Sequence, residues 1–325
     1  MNARLKLSSR RFDVADILER YGLVVALVVF IAVFGALRPT TFLTWTNFSI
    51  ILNTKAALAL LVLAILPSLA AGLYDMSIAG AMGVAYVLLG HLNVTLGWSL
   101  WPSIVVTLMV GVVVGIVNTI LIVHVGINSL IVTLGMGTFL NGIAQGINGN
   151  TVTGLDPRLT GFFRFQIFHV QVCFIFVLAV AFGFWYFFNH TPAGRYMFVV
   201  GAGPEVARLA GLNVKRLQTA ALLTASIGST LTAVVLAGIQ GSVNPTAAPQ
   251  LLLPAFAAAF LGSTAIVSGR FNAWGAFLAV YFLATGITGL QFLGMSGWIE
   301  NVFYGGSLVL AVLLSYLARR RKSAV

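Results

Sequence analysis

One stretch of the sequence decides the fold class: MSIAGAMGVAYVLLGHLNVTLGWSLWPSIVVTLMVGVVVGIVNTILIVHVGINSLIVTLGMGTFLNGIAQGINGNTVTGL, residues 76–155. It contains no Asp, Glu, Lys or Arg. A helix that crosses a lipid bilayer needs about 20 mostly apolar residues, so this stretch is too long for a single crossing. Clusters of Gly, Asn, Ser and Pro divide it at residues 91–103, at residues 124–129 and after Gly146. The stretch therefore predicts three consecutive membrane-spanning helices.

The composition of the whole chain also indicates a membrane protein. The 325 residues are 59% hydrophobic and only 8% charged, with a mean hydropathy of +1.01. Soluble domains carry about 25% charged residues, so this chain has too few polar side chains to cover a water-facing surface. Its one cysteine, Cys173, excludes a disulfide framework and a Cys-rich zinc site. The small number of His, Asp and Glu residues argues against a metalloenzyme.

The other uncharged runs of the chain predict further spans of the same kind. These runs are continuously apolar and do not alternate with a period of two, which excludes a β-barrel. Before the second span, residues 45–53 predict a helix that lies in the membrane interface. We expect an all-α polytopic membrane protein with about ten transmembrane helices, at residues 21–37, 55–73, 78–90, 104–123, 130–146, 171–189, 218–239, 251–267, 273–290 and 302–318.

The Lys and Arg residues predict the orientation of these spans, because cytoplasmic loops carry an excess of positive charge. With an even number of spans and a cytoplasmic N-terminus, fourteen of the eighteen Lys and Arg residues lie inside. The positive charge therefore marks the cytoplasmic face and gives no reason to expect nucleic acid. We expect a cytoplasmic tail at residues 1–20, one transmembrane domain at residues 21–318, and a basic cytoplasmic tail at residues 319–325. The four positive residues left outside are Arg38, Lys55, Arg158 and Arg164.

The polar residues within the spans bear on function. Ionisable groups in a membrane usually mark functional sites, and the deep parts of the predicted spans contain none, which disfavours an ion-driven transporter and a membrane hydrolase. The chain also lacks a G-x-x-x-x-G-K-[ST] loop, so it cannot hydrolyse ATP by itself. Uncharged hydrogen-bonding groups in spans four and five suit a neutral polyhydroxy solute, although each could instead bond between helices. The candidate path residues are Asn118, Thr133, Thr138 and Asn141.

The connection at residues 191–217 is long and holds four of the positive charges. Pro204 is a favoured first helical residue, Glu205 suits the first turn, and Gly211 can end a helix. The segment therefore predicts a two-turn helix at residues 204–210 on the cytoplasmic surface. This helix is either a simple interfacial loop helix or a docking element for a soluble partner.

Four stretches resemble one known family, the ribose-type sugar permeases of ABC importers, which are related to the branched-chain amino acid permeases. The spacing Glu205-x-Ala207-x3-Gly211 is similar to the motif by which importer permeases dock on their ATPase subunits. The other stretches are LYDMSIAG at residues 73–80, which keeps the Asp75 and Ser77 of the family segment, GIVNTILIVHVGINSLIVTLGMGTFLNGIAQ at residues 115–145 and FAAAFLGSTAIVSGRFNAWGAF at residues 256–277. Together they cover roughly residues 40–315.

The resemblance implies a permease subunit, not an enzyme, in the inner membrane of a bacterium. It implies coupling to an ATPase through Arg195, Glu205, Ala207, Arg208 and Gly211, and it adds Asp75 to the candidate path. The implied partners are a second permease subunit, identical or different, a cytoplasmic ABC ATPase that binds ATP and Mg, and a periplasmic or lipid-anchored sugar-binding protein. The chain itself is expected to need no cofactor and no metal.

The implied cargo is a monosaccharide, a ribose-like pentose or a hexose. The same machinery could import branched-chain amino acids or another small polar solute, although a zwitterion would require charged partners that the spans hardly offer. An ion-coupled secondary transporter and a structural membrane subunit without transport are the alternatives from other classes.

Overall fold

The computed structural model describes the backbone of residues 14–167, 170–267 and 269–322. Residues 1–13 of the predicted N-terminal tail and residues 323–325 of the predicted C-terminal tail lie outside the described residues. The described chain is mostly helical, and its helices are α1 (Val14–Leu37), α2 (Pro39–Phe42), α3 (Trp45–Thr54), α4 (Ala56–Ala70), α5 (Ile78–Gly90), α6 (Leu100–Thr119), α7 (Ser129–Ile147), α8 (Pro157–Arg164), α9 (Val172–His190), α10 (Pro192–Ala202), α11 (Pro204–Leu209), α12 (Val214–Gln240), α13 (Ala247–Gln250), α14 (Leu252–Gly262), α15 (Ala273–Phe292) and α16 (Trp298–Lys322).

Each of the ten predicted spans coincides with a helix, so the all-α polytopic fold class is confirmed. Short π-helical turns, His91–Thr95 and Ile120–His124, extend α5 and α6. Six of the described helices are long and apolar enough to cross a membrane, and α3 with α4, bent by 41°, would form a seventh crossing. The remaining predicted spans contain shorter apolar helices at Tyr21–Leu37, Ala247–Gly262 and Trp298–Leu313. The count of ten crossings stays a prediction.

The helix α4 lies at the centre of the bundle. All of its residues are buried, which agrees with a sequence that is apolar on every side. It packs against α12, α9 and α14, while α12 also packs against α5 and α6. By contrast, α6, α7 and α9 are largely exposed and carry bulky apolar side chains on their outer faces. These faces are suited to contact with lipid.

Glycines allow several of these helices to approach closely, as is common in membrane bundles. A Cβ atom on Gly80 of α5 would lie 2.7 Å from the carbonyl oxygen of Gly137 in α7. A Cβ atom on Gly111 of α6 would lie 2.7 Å from the carbonyl oxygen of Ser226 in α12. Larger residues at these two positions would force the helices apart.

The segment at residues 45–53, which was predicted to be a helix in the membrane interface, is helical as α3, and its interfacial position stays a prediction. Its polar residues Asn47 and Asn53 are both buried in the protein. The side-chain amide of Asn47 donates to the carbonyl oxygen of Phe42 at 2.9 Å, and Asn53 Oδ1 accepts from the backbone nitrogen of Gln171 at 3.2 Å. One local and one long-range hydrogen bond thus satisfy these two buried amides. The eighth span is also shorter than expected, because α14 ends at Gly262 and turns follow it.

The connections between helices gather at two ends of the bundle. At one end, the connection at residues 71–77 contacts the start of α7 and the end of α10, since Tyr74 N donates to Ser129 Oγ at 3.3 Å and Gly72 meets Gly201. At the other end, strand β1 (Val152–Thr153) pairs with β4 (Ser242–Val243), and strand β2 (Gln166–Ile167) pairs with β3 (Val170–Gln171). We refer to these as the α11 end and the opposite end.

Candidate functional site

The segment from α10 to α12 is built by local signals in its sequence. The Thr191 side chain caps α10 by accepting from Gly194 N at 3.1 Å, and proline is the first residue of both α10 and α11. Gly211 has a φ of 79°, which glycine adopts at little cost, and it lets the chain turn after α11. The two-turn helix predicted at residues 204–210 is therefore present, and it spans Pro204–Leu209.

The surface of α11 has one anchored side and one free side. Ala207 is fully buried and packs with Val200 of α10 and Val214 of α12. On the free side, the exposed fractions of Leu209 and Val206 are 90% and 69%. Two bulky apolar side chains that protrude from a short helix mark a surface for contact with another protein or with a membrane.

The charged residues that the resemblance assigned to coupling lie beside this apolar pair. Arg208 Nη1 lies 3.0 Å from Glu205 Oε2, in an ion pair that is largely exposed to solvent. Arg195, in the first turns of α10, is also exposed. Of the predicted coupling residues, the three charged ones are accessible to a partner, whereas Ala207 anchors the helix and Gly211 shapes the turn.

A second group of polar residues is buried near the α11 end. Asp75 is fully buried, and its Oδ1 accepts from Ser77 Oγ at 2.6 Å and from Ser77 N at 3.0 Å. Asn118 of α6 donates from Nδ2 to Ser77 Oγ at 2.7 Å. We call Asp75, Ser77 and Asn118 the Asp75 network. Because Asp75 lies in the connection between α4 and α5, it ties this connection to α6.

Burial raises the pKa of the Asp75 carboxyl to about 6, although the two hydrogen bonds from Ser77 work in the opposite direction. Within the described residues, Asp75 Oδ2 and Asn118 Oδ1 are buried without a hydrogen-bond partner. Buried polar atoms usually have a partner, so this network has capacity for a further donor.

The candidate path residues on α7 divide into two groups. Thr133 is buried against the same connection, where its hydroxyl oxygen accepts from Met76 N at 3.0 Å and lies 2.9 Å from the carbonyl oxygen of Tyr74. Thr138 is exposed and donates to Leu134 O within its own helix. Asn141 is half-buried, and its Oδ1 lacks a hydrogen-bond partner. The fold thus brings Asp75, Asn118 and Thr133 together, and it leaves Thr138 and Asn141 farther along α7.

The exposed face of α7 also carries small residues that have open space beside them. A Cβ atom on Gly135 or Gly142 would meet nothing within 4 Å. Thr138 lies between these two glycines on the same side of the helix. A helix face that combines glycine with an exposed hydroxyl is suited to close packing against another transmembrane helix.

The sequence analysis missed a polar cavity at the opposite end of the bundle, which we call the Lys55 cavity. It has a volume of about 460 Å³ and lies between α4, α12, α14 and α16. Lys55 Nζ lies 3.5 Å from Glu300 Oε1 at its wall. In the sequence, this cavity could have been suspected only from Lys55 and Glu300, two charged residues at the ends of spans. The other lining residues come from distant parts of the chain. These residues are Thr54, Lys55, Ala57, Leu58, Leu236, Gln240, Ala247, Gln250, Leu251, Pro254, Gly297, Glu300, Asn301 and Tyr304.

Among the described residues, no group of three or more His, Cys, Asp or Glu side chains could hold a metal ion. The polar groups of the two ends are amides, hydroxyls and single charges. Such groups can bind a solute or a protein through hydrogen bonds.

Comparison with known proteins shows similarity over most of the chain. A family model described as branched-chain amino acid transport system / permease component matches residues 47–312. The autoinducer 2 import system permease protein LsrD of Photorhabdus laumondii subsp. laumondii is 30% identical over 91% of each chain. The protein of the same name from Klebsiella pneumoniae subsp. pneumoniae is 27% identical over 92% of each chain. No solved structure matches the chain significantly.

Proposed function

Because the chain belongs to the family of branched-chain amino acid transport system permease components, we propose that it carries a monosaccharide across the inner membrane as part of an ATP-driven importer. The family membership makes the chain a permease subunit of an ABC importer of the ribose type, not an enzyme. It is a multi-pass protein of the bacterial inner membrane.

The cargo in this proposal is a ribose-like pentose or a hexose. The relatives are named for the import of autoinducer 2, not for amino acids. The uncharged polar groups of α6 and α7 support a neutral solute, because a zwitterionic amino acid would require charged partners or helix ends at mid-membrane. Branched-chain amino acids and other small polar solutes remain the alternative cargo for the same machinery.

The proposed topology has ten spans, with both termini in the cytoplasm and the α11 end inside. The tails at residues 1–20 and 319–325 would then flank one transmembrane domain at residues 21–318. Support comes from the distribution of charge, since Arg208, Lys215 and Arg216 belong to the α11 end, whereas Lys55 and Arg164 lie at the opposite end. An excess of positive charge marks the cytoplasmic side of such proteins.

The observation that carries the proposal is the exposure of Leu209 and Val206 on an otherwise anchored helix. We assign this surface to contact with a cytoplasmic ABC ATPase, which supplies ATP hydrolysis with Mg. Arg195, Glu205 and Arg208 would form the polar rim of the contact. An apolar centre with a polar rim is the usual anatomy of a protein interface.

The remaining proposed partners complete the importer. A second permease subunit would pack against the exposed face of α7, so that Thr138 and Asn141 line a path between the two subunits. Asp75, Asn118 and Thr133 would act at the inner end of this path. A periplasmic or lipid-anchored sugar-binding protein would deliver the solute at the opposite end.

The test is purification of the complex from native membranes and its reconstitution in vesicles. We expect uptake of labelled D-ribose or D-glucose that requires ATP, and loss of the ATPase from the purified complex when Leu209→Asp is introduced. The matched control is Leu96→Asp, since Leu96 is also an exposed leucine but lies at the opposite end. Uptake by the chain alone, driven by an ion gradient, would instead establish a secondary transporter and overturn the proposal.

A further inference from the structure

We infer that the Lys55 cavity is a binding site for a small neutral polyhydroxy solute within this single chain. The inference deepens the proposed function and rests on it, because it names a place where the imported solute is held before it moves toward the cytoplasm. It assigns recognition to residues that neither the family motifs nor the candidate path includes.

Two stretches of the cavity lining each come from one side of a helical segment. On α16 and the residue before it, Gly297, Glu300, Asn301 and Tyr304 follow the spacing of one helical face. The same spacing of three, four and seven residues recurs from Ala247 to Pro254 across α13 and α14. Its volume of about 460 Å³ is within the range of small-molecule sites.

A buried hydroxyl group at the cavity wall requires a partner. The side chain of Tyr304 is 2% exposed, and its Oη has no hydrogen-bond partner within the described part of the chain. Buried hydroxyl groups are nearly always hydrogen-bonded, because an unpaired one loses its interaction with water. A solute hydroxyl in the cavity would supply the missing bond.

The rim of the cavity is suited to a polyhydroxy ligand. Thr54, Gln240, Gln250 and Asn301 supply hydroxyl and amide groups, which can both donate and accept hydrogen bonds. Tyr86 Oη lies 2.5 Å from Gln240 Oε1 and 2.8 Å from the carbonyl oxygen of Ser242, and this contact holds the Gln240 amide at the cavity. Sugar hydroxyls have the same dual donor and acceptor character.

The charge of the cavity favours a neutral ligand over an ion. Lys55 and Glu300 are the charged residues of the lining, and they lie 3.5 Å apart, so their charges cancel. The deeper wall is apolar and includes Ala57, Leu58 and Pro254. A monosaccharide combines an apolar C–H face with a ring of hydroxyl groups, which matches a cavity with an apolar wall and a polar rim.

The experiment measures access to the cavity and its protection by solute. Asn301→Cys introduces an exposed thiol at the rim. The native Cys173 is buried, so its labelling should be slow and gives the background rate. The complete importer in vesicles is labelled with a membrane-impermeant maleimide, with D-ribose or D-glucose present or absent. We expect either sugar to slow labelling, and we expect Tyr304→Phe to raise the sugar concentration needed for half-protection about three- to tenfold.

Two comparisons separate binding from general damage to the fold. Tyr186→Phe makes the same chemical change at an exposed tyrosine of α9, outside the cavity, and should leave protection unchanged. Gln250→Ala removes an exposed amide from the rim and leaves the Tyr304 hydroxyl in place. It should also weaken the protection of Asn301→Cys by sugar. Protection that is equal in the parent, Tyr304→Phe and Gln250→Ala would overturn the assignment of the site.

The outcomes distinguish the cavity from the function of the importer. ATP-dependent sugar uptake without any protection of Asn301→Cys would overturn the cavity and leave the proposed function standing. Protection without uptake would support the cavity and reject the sugar as cargo. Absence of both would overturn both proposals.

Discussion

Gly72 and Gly201 bring two backbone segments into direct contact, since a Cβ atom on Gly72 would lie 3.0 Å from the Gly201 Cα atom. A Cβ atom on Gly201 would collide with the carbonyl oxygen of Ala70. The contact joins α10, which leads into α11, to the connection that carries Asp75. We propose that a displacement of α11 is passed to the Asp75 network through this packed backbone.

The first prediction concerns this contact. Gly201→Leu should destabilise the protein by about 1–3 kcal/mol, because the added side chain has no room against Ala70 and Gly72. Uptake should fall more than stability alone explains. The measurements are the melting temperature and ATP-dependent uptake of the purified complex.

Gly203→Ala is the matched control for Gly201→Leu. A Cβ atom at Gly203 would have the Val206 side chain as its nearest neighbour, at an ordinary 3.6 Å. Equal losses of uptake for both variants would show that the Gly72–Gly201 contact has no special role.

The second prediction concerns coupling through α11. Glu205→Lys places a positive charge in the first turn of the helix and removes the ion pair with Arg208. Because the pair is exposed, stability should change by less than about 1 kcal/mol. ATP hydrolysis should continue while uptake falls, and the ratio of the two rates measures the uncoupling. Normal uptake would remove Glu205 from the coupling role.

The third prediction concerns the turn after α11. Gly211→Asp should uncouple the complex, because an added carboxylate would change the charge of the surface next to the ion pair, at a φ of 79° that aspartate and asparagine both tolerate. Gly211→Asn is the control, since asparagine tolerates this conformation and adds no charge. Insertion in the membrane should be normal for both variants. If both behave like the parent in uptake and ATP hydrolysis, the turn is not part of the coupling surface.

The fourth prediction uses the raised pKa of Asp75. Between its ordinary pKa of 3.8 and about 6, the folded protein keeps the proton that the unfolded chain has released. Stability contributed by this group therefore falls as the pH rises through this window, and it stays low above it. The Asp75→Asn variant should lack this dependence.

The measurement is the difference in melting temperature between the parent and Asp75→Asn at pH 4 and at pH 7. The difference isolates Asp75 from the other carboxyl groups, whose own contributions occur in both proteins. A difference that is the same at both pH values would contradict the raised pKa.

The fifth prediction concerns the proposed path on α7. Asn141→Leu should leave stability unchanged or improve it by about 1 kcal/mol, because Asn141 Oδ1 is buried without a partner. Uptake should change while association with the ATPase is retained. Thr224→Val is the control, since Thr224 donates only within its own helix, to Ala220 O. Unchanged uptake in Asn141→Leu would show that Asn141 contributes to helix packing and not to the path.

The helical spans could be predicted from the sequence because each depends on local composition. In lipid, a chain must satisfy its backbone hydrogen bonds internally. A long apolar run such as residues 104–123 is therefore stable in the membrane only as a helix. The helix α11 was predictable for a similar reason, since Pro204 and Gly211 set its two ends by their own backbone preferences.

The arrangement of the candidate site was predicted only in part. Asp75, Asn118 and Thr133 were named from polarity and resemblance, but their meeting depends on how α6 and α7 pack against the connection before α5. Thr138 had the same signal in the sequence and lies on an exposed face instead. Helical periodicity places a residue on a side of its own helix, and it does not say what that side will contact.

Taken alone, the sequence determined an all-α membrane protein with a short helix that begins at Pro204, because hydrophobic run length and proline and glycine positions act over a few residues. Only the tertiary structure decided that Lys55 would face Glu300, which is 245 positions away, and that Tyr304 would bury its hydroxyl at the wall of a cavity. Lipid gives apolar helices no strong preference for one neighbour over another, so their partners are selected by the packing of small residues such as Gly80 and Gly137.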